Sequence, residues 1–257
     1  MGNVYDCRKN QQRTDIPQRA SRDGIVRPVG SLQKIILYGV DIMKFYCNET
    51  DSKVNFFVED TKNAKSELKD KLNISYPQSA FSNQCVKELI INNFTRLEKI
   101  IKLETEDFKW EAALELITQK FNEHKIEWYI VGSVCDAIRG VKVKPPDIDI
   151  VIHTKDFQKA RDICYSDFAE SVIAPFVDAK GMFAMRCFGR MFLAGILIEI
   201  AADETWNSES RQPGYEKAIW QGYDIYMESL QHRYQIEISR NRMDRIKVIE
   251  EYIKRTE

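Results

Sequence analysis

The chain has 257 residues, 44% of them hydrophobic and 30% charged, with a formal net charge of −1. That length holds one large domain or two small ones, and the near-neutral charge excludes a general electrostatic grip on nucleic acid. No apolar run approaches the ~20 residues that span a bilayer, and the N-terminus lacks an apolar signal core. The expectation is a cytoplasmic protein without a membrane partner and without tight nucleic-acid binding.

Residues 1–24 are polar, with Gln11-Gln12, several arginines and Pro17, and read as a mobile tail. Gly30 to Tyr38 reads as a short helix with Ser31 as its cap. Val40–Tyr46 and Lys53–Val58 read as strands, with the polar stretch Asn48–Ser52 as the turn between them. Thr61–Leu72 is a helix with Ala64, Leu68 and Leu72 on one face. Polar residues from Tyr76 to Asn83 suit a boundary, and a chain starting near Ser82 is expected to fold and bind nucleotide without the first part.

Gln84 to Leu103 carries Val86, Leu89, Ile90, Phe94, Leu97 and Ile101 at helical spacing. A second helix from Asp107 to His124 carries Trp110, Ala113, Leu114, Ile117 and Phe121. Both stripes read as core. Trp128–Val131 is a short strand, followed by Gly132-Ser133 and a short helix to Gly140. Strand, Gly-Ser turn and helix bring backbone N–H groups and a hydroxyl together as a phosphate cradle. Gly132 lets the backbone approach a ligand closely. Taken alone, a Gly-Ser pair marks only a turn.

The run Pro146 to Ile152 sets Asp147 and Asp149 inside a β-branched strand. Alternation sends both acids to one face and Ile148 and Ile150 to the other. Two readings follow: one Asp caps the strand while the other meets a Lys or Arg, or a hard divalent cation lies between them. Thr154 caps a helix over Lys155–Tyr165. Val172–Val177, Met182–Phe188 and Met191–Ala201 read as strands punctuated by Gly181, Gly189 and Gly195. Within the last, Ile196, Ile198 and Ile200 share a face and Glu199 takes the other. Glu199 is either a salt-bridged edge residue, or a third ligand or base. Arg186 and Arg190 either reach a triphosphate or balance surface acids. Asn207–Tyr215 reads as a loop, Gln221–Tyr226 as a strand, and Leu230–Lys254 as one charged helix packed through Ile246, Ile249 and Ile253. The six cysteines and three histidines are scattered and form no zinc or disulfide pattern.

In this order, Gly132-Ser133, Asp147-Ile148-Asp149 and Glu199 resemble the nucleotidyltransferase superfamily of the DNA polymerase β type. Within it the segment is most similar to small bacterial members such as the aminoglycoside and lincosamide nucleotidyltransferases. The resemblance runs over about Asp107–Thr256, with the motifs inside Trp128–Ile200. It implies an α+β fold with a polymerase-β-like core, a mixed sheet with flanking helices, over residues 107–257. Residues 84–106 form a helical linker, and residues 25–83 a small α+β module whose helix–strand–strand–helix order resembles most of an ACT-like regulatory module. An ACT-like piece implies a small ligand or a homodimer. The resemblance further implies a two-ion Mg²⁺ site on Asp147, Asp149 and Glu199 and a nucleoside triphosphate held by Gly132, Ser133, Arg186 and Arg190. The reaction is transfer of a nucleoside monophosphate, AMP, to a hydroxyl of a small-molecule acceptor with release of pyrophosphate. Two departures stand out: Ser133 replaces the second motif glycine of many members, and Glu199 replaces the more usual Asp. Two alternatives stay open. The Gly132 to Gly140 segment also resembles the opening motif of tRNA-terminal nucleotidyltransferases, with Cys135 where those carry Arg. A nucleotide sensor without turnover is the other.

Overall fold

A computed structural model describes residues 43–60, 66–103, 110–178, 187–203 and 214–256. The expected N-terminal tail and the Gly30–Tyr38 helix lie outside the described residues. Strands β1 (Met43–Glu49), β2 (Lys53–Asp60) and β3 (Ile74–Pro77) form an antiparallel sheet in that order, with helix α1 (Ser66–Leu72) between β2 and β3. Alternation buries Met43, Phe45, Val54, Phe56 and Val58 on one face.

That face meets α2 (Gln84–Leu103). Phe94 packs edge-on against Phe45 and Phe56, with ring centroids 5.4 and 4.9 Å apart. One residue earlier, buried Asn93 donates to the carbonyls of Ala169 and Val172 at 2.5 and 3.1 Å. Helix α2 therefore joins the small sheet to a larger one through adjacent residues, and a single apolar core runs through both. The boundary drawn before Gln84 crosses that core.

The larger sheet has seven strands in the order β6-β7-β8-β5-β4-β10-β9. They are β4 (Trp128–Val131), β5 (Asp147–His153), β6 (Val172–Asp178), β7 (Cys187–Leu193), β8 (Ile196–Asp203), β9 (Tyr215–Trp220) and β10 (Tyr223–Glu228). β5 pairs parallel with β8 and β10 parallel with β4, and the remaining pairs are antiparallel, so the sheet is mixed. Helix α3 (Trp110–Glu123) covers β5, and α5 (Phe157–Asp167) packs on β6. The isoleucines Ile130, Ile148, Ile150, Ile152, Ile198 and Ile200 are all buried. Helix α4 (Ser133–Ile138) follows β4, and α6 (Leu230–Ser239) and α7 (Met243–Thr256) close the chain. The fold is α+β, a mixed sheet flanked by helices. Among the described residues no helix is long and apolar enough to cross a membrane.

Several elements differ from the sequence reading. The apolar run from Met191 to Ala201 is not one strand. Ala194 and Gly195, at φ 48° and 77°, turn it into the β7–β8 hairpin. Gln221 and Gly222, at φ 49° and 85°, do the same between β9 and β10; β9 was not expected, and residues 207–213 of the expected loop lie outside the described residues. The last helix breaks into α6 and α7 at Asn241, whose φ is 54°. Thr154 caps nothing: a 3-10 turn over Thr154–Asp156 precedes α5, and the His153 imidazole accepts from the Lys155 N–H instead. Gly189 lies inside β7, where a Cβ would stand 2.5 Å from the Phe176 ring, so it serves packing and not a turn.

Candidate active site

The β5–β8 register sets Asp149 opposite Glu199 and Asp147 opposite Leu197. Because strand side chains alternate, the three acids Asp147, Asp149 and Glu199 share one face of the sheet, opposite the buried isoleucines. Val131, the last residue of β4, lies opposite Asp149, and Gly132 follows it. A Cβ on Gly132 would stand 2.9 Å from Asp149 Oδ2, so the turn runs too close to Asp149 for a side chain there. Gly132 takes φ 78° and ψ −157°, a conformation open essentially to glycine alone. Ser133, the first residue of α4, is largely buried beside it.

The electrostatics are those of a crowded anionic site. Burial, then the charges of Asp147 and Glu199, push the Asp149 carboxyl up to about 7, against the pull of Lys71. Among the described residues, two cations reach the acids. Arg190, on β7 opposite Glu199, donates through Nε and Nη2 to Glu199 Oε1 at 2.9 and 2.8 Å. Its Nη1 donates to the carbonyl of Lys71. Lys71 comes from the last turn of α1 and places Nζ on Asp147 Oδ2, with Glu199 Oε2 at 3.7 Å. Burial opposes its charge, but Glu199, Asp147 and Asp149 outweigh that and push the Lys71 ammonium up.

The sequence reading therefore placed Asp147, Asp149, Glu199, Gly132 and Ser133 in residues that do converge. Arg190 is beside them too, directed at Glu199. Arg186 lies outside the described residues. Lys71 was missed, and nothing in its local sequence marks it, since its helix read only as an apolar stripe through Leu72. A second missed group holds the turn in place: the Gly132 N–H donates to Glu228 Oε2 at 2.9 Å, and Glu228 is buried. Cys135 is buried and donates to the Ile130 carbonyl, so it contributes packing at the position where a tRNA-terminal enzyme carries Arg.

Among the described residues no three His, Cys, Asp or Glu side chains stand as a ready-made metal cage. Asp147 and Glu199 are instead engaged by Lys71 and Arg190. The donor set still suits a hard cation: three carboxylates on one face, one of them pushed up by burial and by the charges of the other two.

No family model matches the chain, and no curated protein matches it. Among solved structures it is similar to a Thermotoga maritima protein assigned as a nucleotidyltransferase, with 22% identity, 57% of this chain and 94% of that chain covered, and a TM-score of 0.42. It is similar to the antibiotic-resistance factor ANT(2'')-Ia in solution, with 15% identity, 56% and 83% coverage and a TM-score of 0.41. It is also similar to ANT(2'')-Ia in complex with adenylyl-2''-tobramycin, with 12% identity, 54% and 86% coverage and a TM-score of 0.39.

Proposed function

We propose that this chain is a nucleotidyltransferase that moves a nucleoside monophosphate, AMP, from its triphosphate to a hydroxyl of a small-molecule acceptor. The observation that carries the reading is the convergence of three acids on one face of β5 and β8 against the Gly132 turn. A divalent ion such as Mg²⁺, held by Asp147, Asp149 and Glu199, would neutralise phosphate charge and stabilise the attacking and leaving oxygens. The chain's own groups do the rest. Ser133 offers its hydroxyl to the phosphates beside the turn. Arg190 fixes the Glu199 carboxylate in orientation through two N–H donors. Glu199 takes the proton of the acceptor hydroxyl as its oxygen bonds to the α-phosphorus. The bond from that phosphorus to the β-phosphate oxygen breaks, and pyrophosphate leaves.

The test is pyrophosphate release from ATP, GTP, CTP and UTP with Mg²⁺, across a panel of hydroxyl-bearing acceptors that includes aminoglycosides. Release that depends on acceptor, and falls to background in Asp147→Asn and Asp149→Asn, is the expected result. A protein that binds Mg-ATP yet never releases pyrophosphate would fit the second reading, a nucleotide sensor without turnover.

A further inference from the structure

Two cations reach the acid face, and they differ in how firmly they are held. The Arg190 side chain is 5% exposed, donates twice to one Glu199 oxygen and is fixed again by the Lys71 carbonyl. The Lys71 side chain is 37% exposed and reaches Asp147 from the last turn of α1 on an unbranched four-carbon stem. Its backbone is anchored independently of its ammonium. Arg190 holds its carbonyl, and two residues on, the Asn73 side chain accepts from the Val58 N–H at 2.6 Å and ties the end of α1 to β2. The ammonium can therefore leave while the helix stays.

It lies where a metal ion's charge would be needed. A divalent ion bound by Asp147 and Glu199 takes carboxylate oxygens at about 2.0–2.1 Å. Lys71 is on one of those oxygens, Asp147 Oδ2, and 3.7 Å from another, Glu199 Oε2. An ammonium and a dication on the same two carboxylates repel each other at that separation, so each weakens the other's hold on them.

We propose that Lys71 is a built-in counter-ion of the acid cluster that competes with a divalent cation, so that metal binding releases the ammonium from Asp147. The N-terminal module thereby sets the metal affinity of a site on the large sheet. The inference rests on the reading of Asp147, Asp149 and Glu199 as metal ligands.

The test is calorimetric titration of Mn²⁺, without nucleotide, into the full chain. Lys71→Gln should bind Mn²⁺ about five- to tenfold more tightly than the unaltered protein, and Lys71→Arg, which keeps the charge, should not. Asp147→Asn is the control for the site itself. If Asp147→Asn abolishes binding while Lys71→Gln leaves the affinity unchanged or weaker, the metal site stands and the counter-ion role falls. If no form binds Mn²⁺, with or without ATP, the metal-site reading falls and takes the inference with it. A second measurement needs no variant. Amine-reactive labelling of the unaltered protein, followed by peptide mass spectrometry, should modify Lys71 at least about threefold faster with saturating Mn²⁺ than with chelator, as the freed ammonium enters solvent. An unchanged Lys71 rate while Mn²⁺ binds would overturn the proposal.

Discussion

Two clusters in this molecule contain three carboxylates and an arginine, and they behave as opposites. In the first, Asp147, Asp149 and Glu199 share one sheet face with Arg190 and Lys71 beside them. In the second, Asp136 on α4, Glu228 on β10 and Glu237 on α6 surround Arg233, and all four are at most 4% exposed. Arg233 Nη2 lies 3.0 Å from Asp136 Oδ2 and 2.5 Å from Glu237 Oε1, with Nη1 3.8 Å from Glu228 Oε2. Each also has a second, more exposed cation, Lys71 in the first and Arg242, with Nη1 3.5 Å from Glu237 Oε2, in the second, so charge count does not separate the two. What separates them is placement of the cation: Arg233 is central, buried and shared among all three acids. In the sheet cluster the buried arginine is on Glu199, and Asp147 is met by a lysine that solvent can reach. The buried cluster is structure. The sheet cluster retains anionic crowding that a ligand can relieve. The two are joined at one point, where Glu228 accepts the Gly132 N–H.

The sharpest way to break the contrast is to remove the central cation. Arg233→Met leaves Asp136, Glu228 and Glu237 buried without their shared partner. Burial already pushes the Asp136 carboxyl up despite Arg233. A loss of about 3–5 kcal/mol in urea unfolding is expected. A loss below about 1 kcal/mol would mean that the three acids re-pair or protonate freely, and the cluster would no longer count as structural.

The sheet cluster should answer in the opposite direction. In chelator, Asp149→Asn is expected to stabilise the protein. The Asp149 pKa is raised in the folded state to about 7 from an ordinary value of 3.8. The native state therefore holds a proton that the unfolded chain has already lost, and stability falls as pH rises between those two values. Asn carries no such proton. The variant should match the unaltered protein below about pH 4 and exceed it by up to about 4 kcal/mol by pH 8, read from urea melts at several pH values. Mg²⁺ with ATP should raise the melting temperature of the unaltered protein and not of the variant. An Asp149→Asn protein that is less stable at pH 8 yet still gains from Mg-ATP would make Asp149 a structural acid.

These clusters also show what sequence can and cannot reveal. The sheet acids were legible because a strand's period of two puts Asp147 and Asp149 on one face of β5 and Glu199 opposite the isoleucines of β8, while the pairing of those two strands was only implied by the family resemblance. Trp128–Val131 and the Gly132-Ser133 turn were legible for the same local reason. The buried cluster was not, because Arg233 and Asp136 lie 97 residues apart and each reads alone as an ordinary surface charge. Lys71 and Asp147, 76 residues apart, are the same case. The β7–β8 hairpin was hidden differently. Its turn is Ala194-Gly195, without the Asn or Asp that usually marks a two-residue turn, so the apolar run reads through it.

The point where the clusters meet gives the smallest and most local test. Gly132 is held from one side by Glu228 of the buried cluster and presses on Asp149 of the sheet cluster from the other. Gly132→Ala puts a Cβ on a backbone at φ 78° and ψ −157°, which costs about 1–3 kcal/mol wherever surrounding structure enforces it. That Cβ would also stand 2.9 Å from Asp149 Oδ2, so the carboxylate must rotate away. The two effects are separable. Backbone strain lowers stability alone, read as a lower urea midpoint with unchanged slope. Displacement of Asp149 weakens Mn²⁺ binding in the calorimeter even where the protein is fully folded. If the turn carries both clusters, Gly132→Ala should show both losses. Adding Asp149→Asn should then cause little further loss of Mn²⁺ affinity, since the carboxylate has already been moved. Additive losses in the double variant would mean that the turn and the acid act independently, and that Gly132 is conserving a fold and not a site.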